Sequence, residues 1–510
     1  MAVVQPIENP AGAGLRYQAT SPADGHVVGE FDAATPAQVQ AAVARAREAQ
    51  PGWAAKSYKE RGAYLQRALD ILVARQDEFV DQIGEETGRH PLETMFMEIW
   101  PACDSLNFYS RRAGKILRDR TVGLHVLKHK RARLVYRPLG VVGVITPWNG
   151  PFILALNPTV QALMAGNAVV VKPSEVTSFC GLLVQTLMDA AGLPKHVCQV
   201  VTGDGATGAA LVEAGVDKIH FTGSVATGRK IGEACGRNLV PCVLELGGKD
   251  PMIVCADADM DRATAGAVFG AIQNTGQFCS STERIYVVAS VYDEFVARVV
   301  ERVEALRQTS SGETDVGPFI LDRQIDLVDA QVQDALAKGA VARVGGARNT
   351  QAGPLYYEPT VLTEVTHDMD IMTEETFGPI VPIVKVRDET EAIAMANDTK
   401  FGLGATVWTK DVARGERIAR RLHTGAVVIN DASITYGALE LPFGGRRHSG
   451  VGHVNGESGL RGFCHAQPII SDRFGLKEEM VWYPYTFKKL SDMKGAIRWV
   501  FGKFLRRFFG

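Results

Sequence analysis

From Val141 onward, short and continuously apolar runs alternate with stretches of helical spacing, and nothing else in the 510 residues constrains the fold as tightly. The runs VVGVITP (141–147), AVVVKP (168–173), VCQVV (197–201), KIHFTG (218–223) and VLEL (243–246) read as strands. Residues 154–165 and 177–191 between them read as helices. A strand that is apolar on both sides has to be covered on both faces, which is the condition of a parallel sheet in βαβ units. Right-handed crossovers then produce an open, doubly wound sheet, and such sheets bind nucleotides at the carboxyl ends of their strands. A second series follows between about 247 and 440, with RIYVVAS (284–290), PIVPIVKV (379–386), ATVWT (405–409) and AVVIND (426–431). The length exceeds what one hydrophobic core supports. The expected class is therefore α/β, with two doubly wound, Rossmann-like domains and a crevice between them.

The first third reads as helical. TPAQVQAAVARAREAQ (35–50) offers Thr35 as N-cap and Pro36 at the first helical position. Residues 57–86 continue with Leu65, Leu69, Leu72, Phe79 and Val80 at helical spacing. LHVLKHKRARLVYRP (124–138) partly alternates apolar with basic residues and is expected to form a projecting strand pair that needs a partner. From Thr486 to Gly510 apolar residues recur every three or four positions among lysines and arginines, against the single acid Asp492. That is a basic amphipathic helix. It suits an anionic membrane surface, or else packs on a partner subunit.

Bulk composition excludes several classes. A net charge of -2 gives no global attraction to nucleic acid. The eight cysteines form no CxxC pair and are expected to be reduced thiols of a cytoplasmic protein. The eleven histidines form no HxxxH or HExxH cluster, so no metal site is expected. MAVVQPIENP lacks a basic region followed by an apolar one, and no stretch reaches the roughly 18 apolar residues of a membrane span.

Individual residues carry the chemistry. Cys279, in NTGQFCSST, is either a small core residue or a nucleophile that needs a base and an oxyanion site. Glu245, in VLELGGKDP, is either that base or a surface turn residue. Asn149, in ITPWNGPF, is an oxyanion donor or a turn residue. VVKPSE places Lys172 and Glu175 where they suit ribose hydroxyls. FTGSVATG places Gly223, Ser224 and Gly228 at a helix start, whose amides suit a pyrophosphate. Gly203–Gly208 spells GxGxxG, but it follows the third strand of the series and reads mainly as a strand-to-helix turn.

PWNGPF, VVKPSE, FTGSVATG, LELGGKDP, GQFCSS, EETFGPI and PFGG occur in the order seen in the aldehyde dehydrogenase superfamily, and the resemblance runs from about residue 20 to 470. It implies a cofactor domain (1–120 and 139–246), a catalytic domain (247–440), a strand-based oligomerisation element (121–138 and 460–475) and a C-terminal extension (476–510). It implies Cys279 as nucleophile, Asn149 and the Cys279 N–H as the oxyanion site, and Glu245 as general base. Lys172, Ser174, Glu175, Gly205, Gly223, Ser224 and Gly228 would bind the adenosine and pyrophosphate half of NAD. Trp148 would line the cleft, Glu375 and Phe377 would position the nicotinamide ribose and ring, and Gln324 would reach the ribose. An aldehyde would be oxidised through a thioester, in a homodimer or homotetramer. Glutamate at position 175 favours NAD over NADP, and the base at 245 favours hydrolysis over acyl transfer to coenzyme A.

Gly150 and Asn157 stand where many relatives carry bulkier side chains, so a wider substrate tunnel is expected. The resemblance is to bacterial succinate-semialdehyde dehydrogenases and their plant relatives. The basic tail points instead to medium-chain, long-chain or aromatic aldehydes. A silent protein that keeps the fold is a third reading, opposed by the intact Cys279, Glu245 and Asn149.

Overall fold

The computed structural model describes residues 3–7, 14–309 and 313–502. The chain divides into two compact units, Met1–Ile116 with Pro138–Phe463, and Leu117–Arg137 with Cys464–Gly510.

The first unit holds two large sheets. Five parallel strands form the first, in the spatial order Cys242–Glu245, Lys218–Thr222, Val141–Ile145, Ala168–Lys172, Cys198–Val200. Gly450–Val451 adds antiparallel to the Cys242–Glu245 edge. Chain order reverses between Val141–Ile145 and Lys218–Thr222, and that switch point is where ligands enter doubly wound sheets. The helix Pro36–Ala54 covers one face, burying Val39, Ala42, Val43 and Ala46 against Val141, Ala168 and Val170. Its start is set by a capping box. Thr35 Oγ1 accepts from Gln38 N–H at 3.3 Å, and Gln38 Oε1 accepts from Thr35 N–H at 2.8 Å.

The second sheet runs Val341–Val344, Thr360–Thr363, Ile380–Val386, Thr282–Val288, Asp250–Val254, Thr406–Trp408, Val428–Ile429. It is parallel except for Val341–Val344. Ile253 and Tyr286 pack on one face, while Met252, Val254, Ile285 and Val287 pack on the other. Both sides of Asp250–Val254 and Thr282–Val288 are thus buried, and each fully buried aliphatic side chain contributes roughly 1.5–3 kcal/mol.

Three details depart from expectation. The chain does not begin with helices. Val4–Ile7, Arg16–Thr20 and Val27–Asp32 form an antiparallel sheet. These strands are short and partly exposed, so they lack a continuous apolar run. Residues 57–86 are two helices, Tyr58–Ala74 and Gln76–Thr87, broken at Arg75. Within 124–138 only Lys130–Pro138 is a strand. Its neighbours are Arg120–Val122 and Cys464–Asp472, and 124–129 holds no strand.

In the second unit, those three strands make one sheet in which Lys130 pairs with Asp472 at 2.8 Å. The terminal helix spans Phe487–Phe501, started by Thr486 Oγ1 accepting from Lys489 N–H at 3.1 Å. The remainder of the expected amphipathic segment, 503–510, lies outside the described residues.

Candidate active site

Two cavities in the first unit share Asn149, Leu154 and Cys279 as lining residues. The first, of about 400 Å³, opens at the switch point and is lined by Trp148, Ser224, Glu245, Gln324, Glu375 and Phe377. The second, of about 360 Å³, is walled by Phe96, Met97, Trp100, Phe269, Ile434 and Tyr436. Cys279 therefore sits where a cofactor-sized cleft meets an apolar tunnel.

The loop presenting Cys279 is conformationally costly. Asn274, Thr275 and Gly276 lie consecutively in the left-handed region, at φ 53°, 58° and 71°. For the two non-glycine residues this costs on the order of 1 kcal/mol each. A side chain at 276 would meet the Gly378 carbonyl at 2.0 Å, so glycine is required there. Asn274 Nδ2 donates to the Gln277 carbonyl (2.8 Å) and to the Asn149 carbonyl (3.1 Å). Thr275 Oγ1 donates to the Gly317 carbonyl at 2.9 Å. Asn149 Nδ2 donates to the Gln277 carbonyl at 3.1 Å, which holds its amide beside the same loop.

Arg89 ties these parts together, and sequence reading missed it. Its guanidinium is buried, pairs with Glu98 at 2.8 Å, donates to Asn274 Oδ1 at 2.6 Å and reaches the Asn149 carbonyl. Glu98 in turn accepts from Ile153 N–H at 2.8 Å, at the start of the helix after the Asn149 turn. Arg89→Met would leave the Glu98 carboxylate buried without its cation. The expected loss is about 3–5 kcal/mol of unfolding free energy. Denaturant titration reads it directly, and a loss under about 1 kcal/mol would contradict the assignment.

Two glycines of LELGGKDP permit close approach of neighbouring groups. A Cβ at 247 would fall 2.2 Å from Glu375 Oε2, and one at 248 would fall 2.3 Å from the Cys279 carbonyl. Glu375 accepts from Gly248 N–H at 3.0 Å, and burial pushes its carboxyl up to about 8. Glu245 is buried, and both its oxygens lack a hydrogen-bond partner among the described residues. Burial alone holds that carboxyl well above its ordinary range. Burial, then the carboxyls of Asp250, Glu375 and Glu245, push the Cys279 thiol up as well. Both shifts favour the neutral form, thiol at Cys279 and acid at Glu245.

Phe377 lines the cleft with a strained backbone, φ 53°. Its N–H donates to Glu283 at 2.9 Å, and Glu283 is paired with Lys249 at 2.7 Å, both buried. Gln324 Nε2 donates to the Thr376 carbonyl at 2.9 Å, so this residue braces the Phe377 turn while lining the cleft. The Trp148 and Phe377 rings meet edge to face at 5.5 Å.

The adenosine-side residues are only partly gathered into this cleft. Gly223 and Ser224 line it, and Ser224 Oγ caps the helix Val225–Asn238 by accepting from Thr227 N–H at 3.3 Å. Gly228 faces inward, where a Cβ would meet Leu246 at 2.4 Å. The glycine there lets the helix Val225–Asn238 pack closely on Leu246. Lys172, Ser174, Glu175 and Gly205 do not line the cavity. Lys172 is buried and pairs with Glu175 at 3.4 Å, and Ser174 Oγ accepts from Val176 N–H. Gly205 opens a helix capped by Asp204, which also accepts from the Tyr17 hydroxyl at 2.9 Å. The GxGxxG segment thus follows the edge strand Cys198–Val200, away from the switch point.

The tunnel corrects one expectation. Gly150 lines it, but Asn157 does not. Asn157 is fully buried and donates to Asn455 Oδ1 (2.9 Å) and to the Tyr436 hydroxyl (3.1 Å). It acts on the tunnel by fixing Tyr436. Phe96 and Met97 enter from a π-helical turn, Met95–Ile99, a local widening common at functional sites. Trp100 is 77% exposed at this rim. Their spacing gave no advance signal, because apolar tunnel walls and core look alike in sequence. Among the described residues the one charged side chain lining the tunnel is Asp104, its carboxyl raised by burial and by Glu440.

Compared with known proteins, residues 10–469 match the aldehyde dehydrogenase family. The chain belongs to that family. As an aldehyde dehydrogenase it oxidises an aldehyde to a carboxylic acid with an NAD(P) acceptor. It is 39% identical over 492 residues to 4,4'-diapolycopene aldehyde oxidase of Methylomonas sp, covering 95% of this chain and 91% of that one. It is 41% identical over 443 residues to a putative succinate-semialdehyde dehydrogenase [NADP(+)] of Mycolicibacterium smegmatis, covering 86% and 85%. The structure of Mycobacterium tuberculosis aldehyde dehydrogenase complexed with NAD+ superposes at a TM-score of 0.86 and 34% identity, over 92% of this chain and 97% of that one. The α/β fold read from the apolar runs is the fold of this dehydrogenase family.

Proposed function

We propose that this aldehyde dehydrogenase is an NAD-preferring, hydrolytic enzyme for long apolar aldehydes, with Cys279, Glu245 and Asn149 as its catalytic residues. The observation that carries the substrate class is the tunnel, whose only charged lining residue among those described is the acid Asp104. An alkyl or polyene chain gains by entering such a passage, at roughly 0.8 kcal/mol per methylene. A succinate-type carboxylate would meet no cation among the described lining residues and one like charge. One relative is named for a diapolycopene aldehyde, which favours this reading, while several others are named for succinic semialdehyde.

The cleft fits a dinucleotide: a helix N-terminus at Ser224 suits phosphate, two aromatic rings flank the opening, and an unpartnered carboxyl waits at Glu245. When bound there, the nicotinamide supplies the hydride acceptor. Cys279 adds as thiolate to the carbonyl, having lost its proton toward Glu245 or solvent. The Asn149 amide and the Cys279 N–H hold the resulting oxyanion. After oxidation the acyl group rests on Cys279 as a thioester. Glu245 then takes a proton from the attacking water, and the acid leaves. Glu175, beside Lys172, would hydrogen-bond free ribose hydroxyls and repel a 2′-phosphate. Against the NADP named for some relatives, an NAD preference of about tenfold or more is expected. The strand Cys464–Asp472 lies at an open edge of its sheet, which supports a homodimer or homotetramer. The eight free thiols support a reducing, cytoplasmic setting.

The test is cofactor reduction with NAD or NADP across succinic semialdehyde, benzaldehyde and straight-chain aldehydes up to hexadecanal. kcat/KM should rise about fourfold per added methylene until the tunnel is filled. A higher kcat/KM with succinic semialdehyde would overturn the substrate assignment, and equal use of NADP would overturn the cofactor preference.

A further inference from the structure

The helix Phe487–Phe501 buries none of its residues fully. Leu490, Ile497 and Phe501 recur at intervals of seven and four, so they share one face, and all three are exposed. Lys494 and Arg498 run along one border of that stripe. Among the described residues neither forms an ion pair, nor does Lys488, while Lys489 reaches Glu478 at 3.6 Å. The helix carries four cations against one acid. Before it, Trp482, Tyr483 and Tyr485 are exposed, and Phe487, its first residue, is 92% exposed.

No helix among the described residues is long and apolar enough to cross a membrane. An exposed apolar stripe on a short helix, bordered by unpaired cations and led by aromatic rings, has instead the pattern of a segment lying in a bilayer interface. There the apolar stripe enters the acyl boundary, the cations meet anionic headgroups, and Trp and Tyr sit at headgroup level. We infer that the Phe487–Phe501 helix docks the enzyme reversibly on an anionic lipid surface. Charge complementarity selects this occupant over a second copy of the chain, whose matching helix would bring the same excess of cations to the contact. The inference stands apart from the substrate assignment.

The test uses the full-length protein and vesicles of phosphatidylcholine, with and without phosphatidylglycerol. The wild type should sediment with the mixed vesicles, stay in solution with pure phosphatidylcholine, and release in high salt. Lys494→Gln with Arg498→Gln should lower partitioning about thirtyfold. Leu490→Glu with Ile497→Glu should abolish it. Both variants should oxidise a short soluble aldehyde at the wild-type rate, which shows that they fold. Failure of the wild type to sediment with mixed vesicles would overturn the inference. So would a Leu490→Glu/Ile497→Glu variant that still sediments but, in velocity ultracentrifugation without lipid, runs as a smaller oligomer. That result would assign the stripe to a second copy.

Discussion

Replacing Cys279 by alanine is expected to remove turnover by at least about 10⁴-fold while leaving NAD binding intact. Cys279 lies at the junction of cleft and tunnel, and among the described lining residues no other thiol reaches either cavity. Seven further cysteines are present, which makes the comparison specific to position. Calorimetric titration with NAD should give the wild-type affinity, because the cleft is built by Trp148, Ser224, Glu375 and Phe377. Burial, then the nearby carboxyls of Asp250, Glu375 and Glu245, push the thiol up and favour its protonated form. Alkylation of the free wild-type enzyme by iodoacetamide at neutral pH should accordingly be slower than that of an exposed cysteine. Turnover of the alanine variant within tenfold of wild type would remove Cys279 from the mechanism.

Glu245→Gln should separate the two halves of the reaction. The first turnover should release one equivalent of reduced cofactor per site, followed by a steady state about 10²–10⁴-fold slower. Glutamine keeps the shape and cannot take a proton from water, so the thioester accumulates. Rapid-mixing absorbance would show the burst, and its loss would mean that Glu245 is needed before the thioester forms. The pH dependence has a definite sign. A base works in its deprotonated form, and burial holds the Glu245 carboxyl well above 4.5. Wild-type deacylation should therefore rise with pH through the shifted value, and that rise should be absent in the variant. Stability runs the opposite way. A carboxyl whose folded value is raised contributes fully below its unfolded value and loses that contribution as pH climbs through the folded one. Glu245→Gln removes that loss, so the variant should resist thermal unfolding at alkaline pH at least as well as wild type.

By itself the amino-acid order determined the parallel strands from Val141 to Glu245, the Thr35-capped helix and the α/β class, because burial on both faces and capping chemistry are local signals. It also singled out Cys279, Glu245 and Asn149, which together line one cleft. Local signals say nothing about which strand lies beside which. Only the tertiary structure decided that the reversal falls between Val141–Ile145 and Lys218–Thr222, and hence that Trp148 and Ser224 face the same opening. Only it separated Gly228, which packs against Leu246, from Gly223, which lines the cleft. The tunnel was illegible for a related reason. Its walls come from segments around 96–104, 149–154, 269–279 and 432–437, and a buried apolar wall has the same composition as a core. Arg89 escaped notice, and Asn157 was expected on the tunnel wall, because a buried polar residue is defined by its partners, Glu98 and Asn149 for one, Tyr436 and Asn455 for the other. Those partners lie as far as 298 positions along the chain, and folding alone brings them within hydrogen-bond reach.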